Sequence, residues 1–182
     1  MKLLTVVREV DRVVTQQVAR RVAPGGGKVL SGVEEAAEST KLWCGAAVVM
    51  AGVGGWRGRT AAAAGLAAMT LGQLVSNGVC KQLADRPRPP KEWFPHDEAD
   101  DRPDSSSFPS GHTAAAVAFT AAVLPIWPAA GIACAVPAAM VAVERVQSGA
   151  HYPSDVVAGA GIGVAGAWLV RRAPRLALRH WT

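Results

Sequence analysis

The stretch Arg145-Val-Gln-Ser-Gly-Ala-His151-Tyr-Pro-Ser-Asp155 joins two apolar runs and sets an arginine, a histidine and an aspartate at Arg-x5-His-x3-Asp spacing. Apolar runs of this length read as helices, so the polar cluster falls at one end of a helical hairpin. Pro153 argues against a continuous helix through the cluster. The reading is a turn through His151 and Tyr152, with Ser154 capping a new helix that begins near Asp155. The Asp155 carboxylate could then hold one imidazole nitrogen of His151 and leave the other for chemistry. Alone the pattern is weak, because His-x3-Asp is common and a lone histidine is more often structural.

Two further stretches raise its weight. Pro109-Ser110-Gly111-His112 immediately precedes an Ala-rich apolar run. Ser110 is a natural helix N-cap, and the backbone N–H of Gly111 stands unobstructed, so this helix start is a ready anion site with His112 beside it. Upstream, Lys81 is followed after six residues by Arg88-Pro89. Lysine supplies a point charge and arginine a planar fork that matches phosphate oxygens.

Composition supplies the setting. Half of the 182 residues are hydrophobic and 18% are charged, with a mean hydropathy of +0.19. The apolar residues are mostly Ala, Val and Gly gathered in blocks from which charges are absent, which predicts membrane helices in preference to a soluble core. The net charge of +5 would suit nucleic acid, but no aromatic residues interleave the basic ones. Most basic residues flank the apolar blocks or lie in the motifs, where an anionic membrane surface and an anionic substrate explain them better. Cys44, Cys80 and Cys134 fall in or at the ends of apolar blocks without a Cys-x2-Cys pair, and read as small buried hydrophobes. No cleavable signal peptide is expected, since charges interrupt residues 1–22.

Taken in order, Leu3 to Val22 has helical period with arginines between its valines: amphipathic and too charged to span, suited to the membrane surface or to the bundle. Gly25-Gly26-Gly27 ends it and is not a phosphate loop. Glu34, Glu35 and Glu38 read as a solvated face. Spans are expected at Leu42–Trp56 and Thr60–Cys80, joined by a tight basic turn at Arg57-Gly58-Arg59. Others follow at Gly111–Trp127, at Ala129 to roughly Val146, and at Asp155–Val170. The Pro-rich stretch from Leu83 to Phe108 is a long loop, functional or disordered, where Trp93-Phe94 is either an interfacial lid or ordinary packing, and His96 with its acidic neighbours reads as a solvated run. The fold class is therefore all-α: a bundle of about five transmembrane helices plus an N-terminal amphipathic helix. The segments are 1–40, a spanning domain at 41–172, and a basic tail at 173–182. In this arrangement Lys81, His112, Arg145 and Asp155 all reach one membrane face.

In chain order the motifs read Lys-x6-Arg-Pro, Pro-Ser-Gly-His, Arg-x5-His-x3-Asp. This order resembles the type 2 phosphatidic acid phosphatase (PAP2) family, whose active site is shared with bacterial acid phosphatases and vanadium haloperoxidases. The likeness spans about Lys81 to Asp155. It departs from the family at Glu144, where a serine usually precedes the arginine. The resemblance implies hydrolysis of a phosphomonoester or diphosphate through a phosphohistidine. His151 would be the nucleophile and Asp155 would fix its tautomer, while His112 would be general acid and then base. Lys81, Arg88, Ser110, Gly111 and Arg145 would hold the phosphoryl group, with neither metal nor other cofactor. The implied partner is a lipid phosphate within the membrane, of the polyprenyl type or else phosphatidic acid or phosphatidylglycerophosphate. The site is expected on the extracytoplasmic face of a multi-pass cell-membrane protein. A vanadate-dependent oxidant enzyme and a non-catalytic lipid-binding protein of the same fold are the alternatives from other classes.

Overall fold

The computed structural model describes residues 2–21, 40–94 and 105–179, and every regular element among them is helical. Helix α1 is Lys2–Arg21, α2 is Lys41–Val53, and α3 runs from Gly55 to Leu83. Helix α4 is Gly111–Val123, α5 is Pro128–Gln147, and α6 is Pro153–Arg179. Three of them, α3, α5 and the Pro153–Ala173 part of α6, are long and apolar enough to cross a membrane. The remaining apolar helices, α2 and α4, are shorter. Helix α4 is the centre, packed against α3, α5 and α6.

The alanine-rich sequence explains how tightly it packs. Ala114, Ala116, Ala118, Phe119, Ala122 and Val123 are wholly buried. Phe119 packs on Trp43 of α2, ring centroids 5.3 Å apart. A side chain at Gly159 of α6 would run into the Ser110 carbonyl, and a Cβ at Gly163 would come within 2.6 Å of the Ala114 carbonyl. Those two glycines bring the Asp155 end of α6 against the Ser110 end of α4, by the close-approach logic of small residues in membrane bundles. The outer surface is the apolar one. Val48, Val49 and Val53 on α2, Ile132, Val136 and Val143 on α5, and Val157 and Val164 on α6 all point outward. Polar residues are instead buried at one end. Apolar outside and polar inside is the arrangement a lipid solvent selects.

Several sequence expectations move. Trp56 does not close the first span, and Arg57-Gly58-Arg59 is not a turn: all lie in the first turns of α3, and the sharp bend falls at Gly54-Gly55, where Gly55 has φ +53°. A glycine pair takes that bend more readily than residues carrying a Cβ. The third span stops at Val123, and Arg57 Nε donates to the carbonyl of Ile126 in the turn that follows. The proposed cap at Ser154 is also displaced. Helix α6 begins at Pro153, and the Tyr152 N–H donates to the Asp155 carboxylate at 2.9 Å, the acidic half of a capping box with Tyr152 at the N-cap. Helix α1 turns Asp11, Thr15 and Ala19 inward and leaves Leu4, Val6, Val10 and Val13 exposed. Its buried face is thus its small and polar one. Phe94 is buried against Ala19 beside Trp93, which answers for packing at that pair. Gly25–Gly27, Glu34, Glu35, Glu38, His96 and the acidic run after it lie outside the described residues.

Candidate active site

The hairpin between α5 and α6 places two of the candidate residues through backbone bonds. Gly149 adopts φ +67° just past the end of α5, and its N–H donates to Val146. This is the left-handed helix stop that glycine favours. The His151 N–H then returns to the carbonyl of Arg145 at 2.9 Å. The Arg-x5-His spacing is the length of this return. Arg145 is 5% exposed in an apolar bundle, where an unpaired charge would be costly. Its Nε lies 2.5 Å from Glu144 Oε2. The residue that departs from the family pattern therefore pairs with the arginine beside it.

Ser110 caps α4 as its sequence suggests. Its hydroxyl accepts from the Thr113 N–H at 3.4 Å and meets the Thr113 hydroxyl at 3.0 Å, while its own N–H donates to the Asp155 carbonyl at 3.0 Å. Gly111 is packed face-on against Asn77, so that a Cβ there would lie 2.5 Å from Asn77 Oδ1. Asn77 stands in a π-helical stretch, Leu74–Cys80, directly before Lys81. Wider turns of this kind re-aim the residues that follow and gather at functional sites. No periodicity in the sequence announces one.

Around these, Lys81, Arg88 and Arg145 form a cationic set whose charges bear on both His112 and His151. Arg88 is fixed by bonds from Nη1 to the Ala150 carbonyl at 2.8 Å and from Nε to the Ser105 carbonyl at 3.2 Å. Burial, with the positive field of Arg145, lowers its pKa. Burial first, then the charge of Arg88, pushes His151 down to about 3. Its ring is neutral at neutral pH, as a nitrogen nucleophile must be. All eight sequence-predicted residues are thus gathered at one end of the bundle, where α3 ends, α4 begins and α5 meets α6. Among the described residues no group of three or more histidine, cysteine or acidic side chains stands close enough to hold a metal ion.

One expected contact is replaced. His151 Nδ1 lies 2.6 Å from the carbonyl of Ser107, whereas the nearer Asp155 oxygen is 3.9 Å away, beyond hydrogen-bond reach. A carbonyl only accepts, so Nδ1 carries the proton and Nε2 is left as the basic nitrogen. Asp155 is completely buried and is held instead by Arg86, Nη1 to Oδ1 at 2.5 Å. Arg86 also stacks over the Tyr152 ring, 4.3 Å from its centroid. Sequence reasoning did not pick out Ser107, since any residue type offers a carbonyl. Arg86 sat in view two residues before Arg88 without a role.

The sequence model of the PAP2 superfamily matches residues 61–179, more than half of the chain. The chain belongs to the PAP2 superfamily. Over 60 residues it is 50% identical to lipid A 1-phosphatases of Rhizobium etli and Rhizobium johnstonii, a match covering 31% of this chain and 25% and 23% of theirs. It thus spans about a quarter of the curated relatives it matches. Its fold is that of two solved structures, the first described as PAP2 type. A phosphatidylglycerolphosphate phosphatase from Bacillus subtilis superposes with TM-score 0.68 at 21% identity, over 93% of this chain and 87% of that one. Aquifex aeolicus LpxE gives 0.69 at 20%, over 90% and 95%. With its outward apolar helices, this PAP2 chain is a multi-pass membrane protein. Helices α1 and α2 precede the matched region.

Proposed function

We propose that this PAP2 protein is a lipid phosphatase working through a phosphohistidine at His151. The observation that carries the reading is the meeting of a neutral, Nδ1-protonated His151 with Lys81, Arg88 and Arg145 at one end of an apolar bundle. In this reading Nε2 of His151 attacks phosphorus in line. Asp155 acts at one remove, stabilising the charge that grows on the ring while the Ser107 carbonyl fixes the tautomer. His112 protonates the leaving oxygen and then activates the water that cleaves the intermediate. Lys81, Arg88, Arg145 and the α4 N-terminus at Ser110 and Gly111 hold the phosphoryl oxygens, where charge must be neutralised.

The substrate is a phosphate or diphosphate on a membrane lipid, with a polyprenyl carrier favoured by the sequence reading. The 50% identity to proteins named lipid A 1-phosphatase favours a second reading, lipid A 1-phosphate. Phosphate release from polyprenyl phosphate and diphosphate, phosphatidylglycerophosphate, phosphatidic acid and lipid A, with His151→Ala as blank, decides between them. Release from none of the panel would count against the enzyme reading. Because side-chain cations carry the phosphate charge in this mechanism, activity is expected to survive EDTA and to fall with vanadate, which mimics five-coordinate phosphorus. Loss on chelation restored by Mg²⁺ would contradict it.

In this reading the catalytic end faces the extracytoplasmic side, because Arg57, Arg59, Arg171 and Arg172 lie in the helix ends at the opposite end of the bundle, and basic residues near the ends of spans favour the cytoplasm. Glu92 is exposed on the catalytic side. Glu92→Cys, in a background lacking Cys44, Cys80 and Cys134, should react in intact cells with an impermeant maleimide. Labelling only after permeabilisation would put the site inside.

A further inference from the structure

Two groups face Nδ1 of His151, the Ser107 carbonyl and the Asp155 carboxylate, and one residue holds both. Arg86 accepts the Ser107 N–H on its backbone carbonyl at 2.9 Å and donates from Nη1 to Asp155 Oδ1 at 2.5 Å. The other arm of its guanidinium, Nη2, donates to Asp11 Oδ2 at 2.7 Å. Asp11 belongs to α1, outside the region matched by the PAP2 sequence model. It is 2% exposed and has no role in the chemistry described above. Its carboxylate is fully occupied at the same place: Oδ1 accepts the Ser154 N–H at 2.9 Å and Oδ2 the Ser154 hydroxyl at 2.6 Å. Ser154 in turn accepts from Arg86 Nη1 at 2.7 Å.

A buried acid paired with a partly buried arginine from a segment 75 residues away is costly to desolvate, and a simpler apolar contact would dock α1 as well. What the pair adds is direction. The planar fork can satisfy Asp11 and Asp155 together in one orientation only, and a lysine could not do so. We propose that Arg86, oriented by Asp11 of α1, is the positioning residue that fixes His151 for attack, so that the N-terminal helix completes the catalytic machinery. The inference rests on the reading of His151 as nucleophile for its kinetic consequence, though not for its structural one.

Two readouts on the chain of residues 1–182 separate these. Nitrogen-15 NMR of labelled histidine, with His151 assigned by its own substitution, reads the tautomer without any substrate. Wild type should give a single Nδ1–H form. Arg86→Ala and Arg86→Lys keep the backbone bond to Ser107 and lose the hold on Asp155, so a second tautomer should appear beside the Nδ1–H form, with a smaller share in Asp11→Asn, at unaltered helical circular dichroism. In parallel, kcat on the best lipid phosphate of the panel should fall about 10²-fold in Arg86→Ala with KM little changed, since small misplacements cost about that much. Asp11→Asn should lose about 10-fold, the lower range for a lost supporting contact. Guanidinium added to Arg86→Ala should restore part of kcat, and urea should not. A purely structural role would give no such selective rescue. An unchanged His151 tautomer in Arg86→Ala, or Arg86→Lys behaving as wild type, overturns the proposal. A tautomer change in a protein that hydrolyses no lipid phosphate would leave the positioning intact and sink the phosphatase reading.

Discussion

Replacing His151 by alanine is expected to lower turnover by on the order of 10⁴-fold or more, because loss of a covalent nucleophile removes the whole two-step route. The loss should be the same for every substrate, since no leaving group compensates for a missing attacking nitrogen. Its pH dependence follows from the surroundings of the ring. His151 keeps a folded-state pKa of about 3, pushed down by burial and then by Arg88. The folded protein therefore leaves it neutral throughout the range where an ordinary histidine titrates, about pH 5 to 8. A fall in kcat/KM within that range has to come from another group. The sign for stability is opposite to that of a paired histidine. The unfolded chain takes up a proton near 6.5 and the folded one does not, so stability is fully present above 6.5 and is lost as pH falls towards about 3. His151→Ala should flatten that part of the acid denaturation curve. A variant as acid-sensitive as wild type would show that the ring is not held neutral.

His112→Ala should behave differently. A general acid is typically worth about 10²–10⁴-fold when the departing alkoxide is a poor leaving group, and far less when it is p-nitrophenolate. His112 opens α4 next to the Ser110 cap, on the side where Lys81, Arg88 and Arg145 act on its ring. In the proposed mechanism it serves the leaving oxygen. The check is the ratio of losses for a lipid phosphate and its p-nitrophenyl analogue. Equal losses would assign His112 to binding in place of proton transfer.

How much of this could be read from residues alone depends on the range of the interaction. The hairpin at Arg145–Asp155 and the Ser110 cap are local, and residue types with strong turn and capping preferences encode them within a few positions. The membrane bundle is written in uncharged runs. The bend at Gly54-Gly55 was misplaced because the basic residues after it look like a loop, yet they can open a helix at a membrane boundary. The face of α1 was ambiguous for a related reason. In a bundle surrounded by lipid, exposed valines carry little cost, so the apolar stripe no longer tells which side is buried. What decides is Asp11, whose partner Arg86 is 75 positions away. The Ser107 carbonyl and the π-helical turn before Lys81 are backbone features without a side-chain signature.

A phosphoryl group carried by His151 is the centre of the proposed mechanism. Wild-type protein mixed with phosphorus-32-labelled lipid phosphate, quenched in alkali within one turnover and digested, should yield a single labelled peptide. The label should sit on His151, stable in base and lost in acid. A labelled peptide from any other residue, or phosphate release with no labelled protein at any time within the first turnover, would contradict it.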